Sequence, residues 1–337
     1  MKSLTKNALS KTPGPPASRD AGSFWSRLLA FLFEYNLILI FLILFAALSL
    51  SVQYFFTWQN MLGLALSVSQ IGMVACTMMF CLASRDFDLS VGSVVAFTGV
   101  LSATVINATD NLWLGVLAAL ACGSIIGALN GVIIAYLRIN ALITTLATME
   151  IVRGLAFISS HGQAVGVSNA DFINFAGSSL FGISMPIWTT LICFLLFGFL
   201  LNSTLYGRNT LAIGGNPEAS RLAGIRVERT RVIIFLVQGL VAGLAGVILA
   251  SRITSGQPNS AQGFELNVIS ACVLGGVSLK GGSATISGVV VGVFILGTAE
   301  NVMNLLNIDA FYQYLVRGTI LLAAVLVDQQ RTRTERE

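Results

Sequence analysis

The chain has 337 residues, of which 55% are hydrophobic and only 10% charged, with a mean hydropathy of +0.83; soluble globular chains carry about 25% charged residues. That balance excludes a soluble globular domain and marks an all-α polytopic membrane protein. The formal net charge of +4 matters less than where the positive residues sit, and no nucleic-acid partner is needed to explain it.

Residues 1–34 are basic and contain Pro13, Pro15 and Pro16, which reads as a mobile cytoplasmic tail. The apolar run after it lies too far from the start for a signal peptide, and no small-residue cleavage site follows. Between Glu34 and Arg85 no side chain is charged, enough for two spans of about 20 residues each. Apolar segments predict ten spans near 36–56, 62–83, 89–107, 112–136, 141–159, 186–202, 232–251, 266–279, 282–303 and 311–327, together a permease domain over 35–330. The segment 266–279 is short enough for a broken or half helix.

With a cytoplasmic N-terminus, the outer loops receive only Arg252 of the 19 Lys and Arg. Arg153 and Arg317 stay within or at the ends of spans, and the rest fall inside, the basic C-terminal residues 331–337 included. Such asymmetry sets the orientation, with both termini cytoplasmic. The longest outer loop, 160–185, carries Asn169, Asp171 and Asn174 and with Asp110, Glu265 and Asp309 makes a mildly acidic outer face.

One long polar stretch interrupts the second half. Residues 203–231 are predicted to lie in the cytoplasm, and Gly207–Arg231 holds five arginines. Within it Asn216-Pro217-Glu218 has the order of a helix start, with a capping amide, a Pro whose missing N–H is harmless and an acid at the positive helix end. A short helix over 217–223 is expected, with Ala219, Arg221 and Leu222 on it and Gly224 in its left-handed end. Leu222 and Ile225 would form a small apolar patch among charges, suited to docking a soluble partner; an ordinary solvated loop is the competing reading.

The five cysteines fall in apolar runs without metal-ligand spacing, and the single His161 has no second ligand, so no metal site is expected. Nothing matches a phosphate-gripping loop, so the chain is not expected to hydrolyse nucleotide. Polar residues inside spans are more informative. In 141–159, Thr144, Thr145 and Thr148 lie close together, followed by Glu150 and Arg153 at i, i+3, which should pair or face water because a charge at the bilayer centre costs about 3 kcal/mol. Packing lock and substrate contact both fit. Glu300, Asn301 and Asn304 form a second cluster, and Gln70, Asn130 and Gln238 are isolated amides. Hydroxyls and amides suit a neutral polyol; interhelical hydrogen bonds explain them equally. Gly123/Gly127/Gly131, Gly239/Gly243 and Gly288/Gly292 are ridges for close helix packing. The segments 88–93 and 278–283 echo one another, each joining an inward span to an outward one, as two similar halves would.

Glu218-Ala219-Ser220, three residues and then Gly224 resemble the element by which membrane subunits of bacterial ABC importers dock on their ATPases. The stretches 87–93, 207–210, 212–219 and 273–282 are similar to the monosaccharide branch of that family, the ribose, xylose and arabinose permeases, and 81–84, 139–149 and 254–258 resemble its L-arabinose members. The likeness runs over about 36–327. Ser84-Arg85 stands where many members have Gly-Gly, and Ala141 where many have Pro.

The resemblance implies a multi-pass permease of the bacterial inner membrane, not an enzyme, binding no cofactor itself. ATP and Mg would sit on a separate nucleotide-binding subunit, a periplasmic sugar-binding protein would deliver substrate, and two copies of the permease in membrane lipid would share the path. Asn216, Pro217, Glu218, Ala219, Arg221, Leu222 and Gly224 would dock the ATPase; Thr144, Thr145, Thr148, Glu150, Arg153, Asn301 and Asn304 are candidates for the path. An ion-coupled secondary sugar transporter using Glu150, Arg153 and Glu300 is the alternative, and a non-transporting anchor a third reading.

Overall fold

A computed structural model describes residues 36–334. The tail expected over 1–34 lies outside the described residues, as does the end of the basic segment 331–337. The chain folds almost wholly into helices: α1 (Asn36–Ser51), α2 (Trp58–Ala83), α3 (Val91–Thr109), α4 (Leu112–Ala135), α5 (Ala141–Ser159), α6 (Ala170–Gly177), α7 (Met185–Ser203), α8 (Leu205–Gly215), α9 (Pro217–Leu222), α10 (Val227–Arg252), α11 (Phe264–Leu274), α12 (Ile286–Leu305) and α13 (Ala310–Thr334). Among the described residues seven helices, α2, α3, α4, α5, α7, α10 and α12, are long and apolar enough to cross a membrane. Three further apolar stretches are shorter, Leu37–Ser51, Phe264–Leu274 and Phe311–Leu326. The ten apolar segments read from the sequence each fall on one of these ten helices.

Local chemistry sets where the helices begin. The side chains of Thr57, Asn111, Asn140 and Thr285 accept from backbone N–H groups at the starts of α2, α4, α5 and α12. These groups would otherwise be unpaired at a helix end.

α2 is the hub, buried at every residue from Gly72 to Ala83 and packed against α7, α10, α11 and α12. Thr190 of α7 donates to the Ser69 carbonyl of α2 at 2.7 Å. The seam between α4 and α10 is backbone against backbone: a Cβ at Gly123 would strike the Gly239 carbonyl, one at Gly127 the Phe235 carbonyl, and one at Gly239 the Gly123 carbonyl. Gly288 and Gly292 likewise sit against the Gly275 and Ala271 carbonyls of α11. The predicted glycine ridges are therefore helix seams. All five cysteines are free and four are buried.

α11 has 11 residues, a length of about 16 Å at the helical rise, against about 30 Å of hydrocarbon. Its exit lies level with the C-terminal end of α2, since Gly282 N–H donates to the Ala83 carbonyl at 2.9 Å. Glu265, grouped with the outer acids from the sequence, is half-buried. Its carboxylate covers Gly92 in the first turn of α3, where the positive helix end favours a negative charge.

Residues 160–184 are tied to the bundle. Val165–Gly166 pairs antiparallel with Ser255–Gly256, and Ser251 of α10 donates to the Phe172 carbonyl and accepts from Ala176 N–H. A second two-residue pair joins Ser179–Leu180 to Ile183–Ser184.

Candidate functional site

The polar interruption folds as two short helices, the first packed against α2, α7 and α10. α8 starts at Thr204, whose hydroxyl accepts from Gly207 N–H, and it is anchored by stacking of Tyr206 on Phe80 of α2, with ring centroids 4.9 Å apart. Gly214 lies against the Ala83 carbonyl and Gly282 N–H so closely that a Cβ has no room. Arg85 donates to the Gly215 carbonyl at 2.7 Å. The C-terminal end of α8 is thus wedged between the connectors that follow α2 and α11.

At Asn216 the backbone becomes extended, and the side chain accepts from Glu218 N–H at 3.0 Å and Ala219 N–H at 3.1 Å. Pro217 opens α9, which ends one residue earlier than expected, at Leu222, with Ala223 as its cap. Gly224 then turns the chain at φ +85°, a conformation that glycine adopts without strain, and Ile225 N–H returns to the Ser220 carbonyl at 3.0 Å. Ser220 is the buried residue of α9; Glu218, Ala219 and Arg221 face out. Leu222 is 91% exposed. Arg221 Nη2 meets Glu228 Oε1 of α10 at 2.6 Å, which closes the small helix onto the next long one.

Beside α9 lies a cleft of about 600 Å³, lined by residues 85–87, 134–135 and 138–142, by Pro217, Glu218 and Arg221, and by Val227, Glu228 and Arg231. At its wall Asp86 Oδ2 pairs with Arg231 Nε at 3.1 Å, the carboxylate side chain only 6% exposed. Burial pushes the Asp86 carboxyl up from 3.8 to about 6, with Arg231 and the Ser84 hydroxyl pulling it partly back. A folded-state value above the unfolded one means that this group stabilises the fold fully below 3.8 and that the gain is lost as pH rises through about 6. The ion pair behaves oppositely, formed above about 6. The other charges on the cleft are Arg85, Arg138, Glu218, Arg221 and Glu228. If the pair aids transport, uptake by reconstituted protein should fall as the pH on the cleft side drops through about 6, and Asp86→Asn should remove that inflection.

The path candidates are not gathered into one lining. Thr144 and Thr145 are buried and donate to the Asn140 and Ala141 carbonyls at the start of their own helix, and Thr145 also lies 3.4 Å from the Phe87 carbonyl. Thr148 alone of the three donates to a side chain of another helix, Asn130 Oδ1 of α4 at 2.6 Å. Glu150 and Arg153 form no ion pair. Arg153 donates to the Pro258 and Ser260 carbonyls, both at 2.7 Å, and Glu150 is exposed. The loop before α11 thus satisfies the guanidinium that i, i+3 spacing would have assigned to the acid.

In α12, Asn301 and Asn60 of α2 exchange two side-chain hydrogen bonds, at 2.8 and 2.9 Å. Asn304 accepts from Gln313 at 2.8 Å, and Glu300 pairs with Arg317 at 2.8 Å. These are interhelical ties. α5 packs on α3 and α4, whereas α12 packs on α2 and α11, so the two clusters sit in different parts of the chain. Gln238 is fully buried with neither amide atom hydrogen-bonded.

Asp86, Asp88, Ser90 and Arg231 went unremarked as functional residues at the sequence level. Two acids four residues or fewer from an apolar helix end, in Asp86-Phe87-Asp88-Leu89, were the available signal, since a buried carboxylate needs a partner. Among the described residues no group of three or more His, Cys, Asp or Glu is placed to hold a metal.

A bundle of long apolar helices joined by side-chain hydrogen bonds defines a multi-pass membrane protein, and the family its sequence matches makes it a transport permease subunit. The chain belongs to the family of the branched-chain amino acid transport system / permease component, whose model matches residues 60–325. It is 56% identical to the L-arabinose transport system permease protein AraH of Escherichia coli over 99% of both chains. It is 52% identical to the L-arabinose ABC transporter permease protein AraH of Azospirillum brasilense over 96% of both. The ribose import permease protein RbsC of Escherichia coli is 38% identical, over 90% of this chain and 95% of its own. No solved structure matches.

Proposed function

We propose that this chain is the membrane subunit of an ATP-binding-cassette importer that carries L-arabinose inward. The observation that carries the sugar assignment is the near-complete, 56% identical match to an L-arabinose permease against 38% for a ribose permease. α9 is the helix that docks a nucleotide-binding subunit, through Asn216, Pro217, Glu218, Ala219, Arg221, Leu222 and Gly224. Its support is local: a doubly accepting cap, a glycine-turned end, and Leu222 exposed, with none of the described residues covering it. The remaining partners are a periplasmic sugar-binding protein and a second copy of the chain, with ATP and Mg on the ATPase.

On this reading all ten apolar helices cross or enter the bilayer, both termini face the cytoplasm, and the echoing segments 88–93 and 278–283 mark two similar halves. Thr148 is the path candidate best supported, because its hydroxyl reaches across to α4. Pairing of Glu300 with Arg317, exposure of Glu150 and the carbonyl partners of Arg153 leave the three charges named for the ion-coupled alternative without a shared buried site.

The test is uptake of radiolabelled L-arabinose, D-xylose and D-ribose by the reconstituted complex. L-Arabinose should be transported in an ATP-dependent manner that survives an uncoupler. Uptake of ribose in preference would overturn the sugar assignment, and collapse with the uncoupler alone would overturn the importer.

A further inference from the structure

The connector between α2 and α3, residues 84–90, touches more of the inner face than its length suggests. Arg85 donates to Gly215, immediately before α9, and Asp86 pairs with Arg231, one helical turn beyond the Glu228 that holds Arg221 of α9. Two adjacent residues therefore clasp both flanks of the docking helix.

The same connector continues inward as a chain of buried polar contacts. Asp88 is 1% exposed; its Oδ1 accepts from Ser90 N–H at 2.9 Å and from the Ser90 hydroxyl at 2.6 Å. Ser90 Oγ accepts from Asn130 Nδ2 at 3.1 Å, and Asn130 Oδ1 accepts from Thr148 at 2.6 Å. The last two links pass between elements, from connector to α4 and from α4 to α5. Buried apolar packing would hold these helices at lower desolvation cost. Irregular backbone inside a membrane protein is found where it is covered by protein or lines a cavity. Hydrogen bonds of fixed geometry transmit displacement because they are made or broken as discrete contacts.

We propose that this connector carries movement of α9 into the bundle, with Arg231, Asp86, Asp88 and Asn130 as positioning residues that couple ATP-driven motion to opening of the sugar path. The proposal rests on the reading of α9 as the docking helix.

The complex of this chain with its ATPase and sugar-loaded binding protein, in proteoliposomes, gives three separate readouts: ATPase association, ATP hydrolysis and uptake. Asp88→Asn and Asn130→Leu should leave association intact and hydrolysis within about twofold, while sugar moved per ATP falls about tenfold, a size expected for residues on a coupling route. Asp86→Arg should do the same, and combining it with Arg231→Asp should restore a large part of the ratio. If the bulkier variants fail to reach the membrane, Ser90→Ala, which removes the one hydroxyl that joins Asp88 to Asn130, carries the test with the same expected direction. An unchanged ratio of uptake to hydrolysis across the variants that insert would overturn the proposal. Failure of the docking reading looks different: Leu222→Asp would then leave association unaltered, whatever the connector variants do.

Discussion

Replacing Leu222 with Asp is expected to lower uptake by about 30-fold or more while the chain still inserts and accumulates normally. The side chain is 91% exposed, so its loss costs the fold no packing, and surface changes of this kind stay within about 0.5 kcal/mol. An apolar side chain that seats in a partner's pocket behaves otherwise. Its removal costs about 2 kcal/mol or more, a factor of roughly 30 in affinity, and a buried charge adds to that. Glu218→Lys on the same exposed face should act in the same direction. Gly224→Asp tests the supporting turn, because φ is +85° there and a side chain in that region costs about 1 kcal/mol. The measurement is co-purification of the ATPase in detergent beside uptake in vesicles. Normal association and transport in all three variants would remove α9 as the docking element.

Gly239→Leu should have the largest effect on the fold itself, abolishing recovery of a monodisperse protein. A Cβ at Gly239 meets the Gly123 carbonyl, and one at Gly127 meets the Phe235 carbonyl; both obstacles are backbone and cannot rotate away. Overpacking costs about 1–3 kcal/mol where side chains can give. Here the whole seam between α4 and α10 must open, and α10 also carries the contacts to α2 and α3. Gly154→Ala in α5 is the matched control, with nothing within 4 Å of the added atom. It should be recovered as well as the parent protein, since Ala favours helix over Gly by about 1 kcal/mol. Size-exclusion profiles of detergent extracts distinguish the two outcomes, and a monodisperse Gly239→Leu protein would show that the seam is not close-packed in the membrane.

Much of this architecture was legible in local sequence. The start of α9 follows from Asn216 and Pro217, and its end from Gly224. α5 runs over the predicted 141–159 because Asn140 caps it and Ser160 follows it. The glycine ridges were legible as seams, although not which seams, since a small-residue stripe says that something approaches closely without naming it. Glu150 and Arg153 show the limit of this reasoning: spacing brings two charges within reach, but the carbonyls of Pro258 and Ser260, more than 100 residues away in sequence, claim the arginine.

The sequence by itself determined where helices begin and end, which segments are apolar enough to cross a bilayer, and where the arginines cluster along the chain. These are decided within a few residues, by backbone capping, by hydrophobic transfer and by charge. Only the tertiary structure decided that Asp86 meets Arg231, that Asp88 reaches α5 through Ser90 and Asn130, and that Asn301 is held by Asn60. In a bundle of uniformly apolar helices almost any packing buries similar surface, so the polar partners are selected by the three-dimensional arrangement in which the most buried donors and acceptors are satisfied, and that is a property of the whole chain.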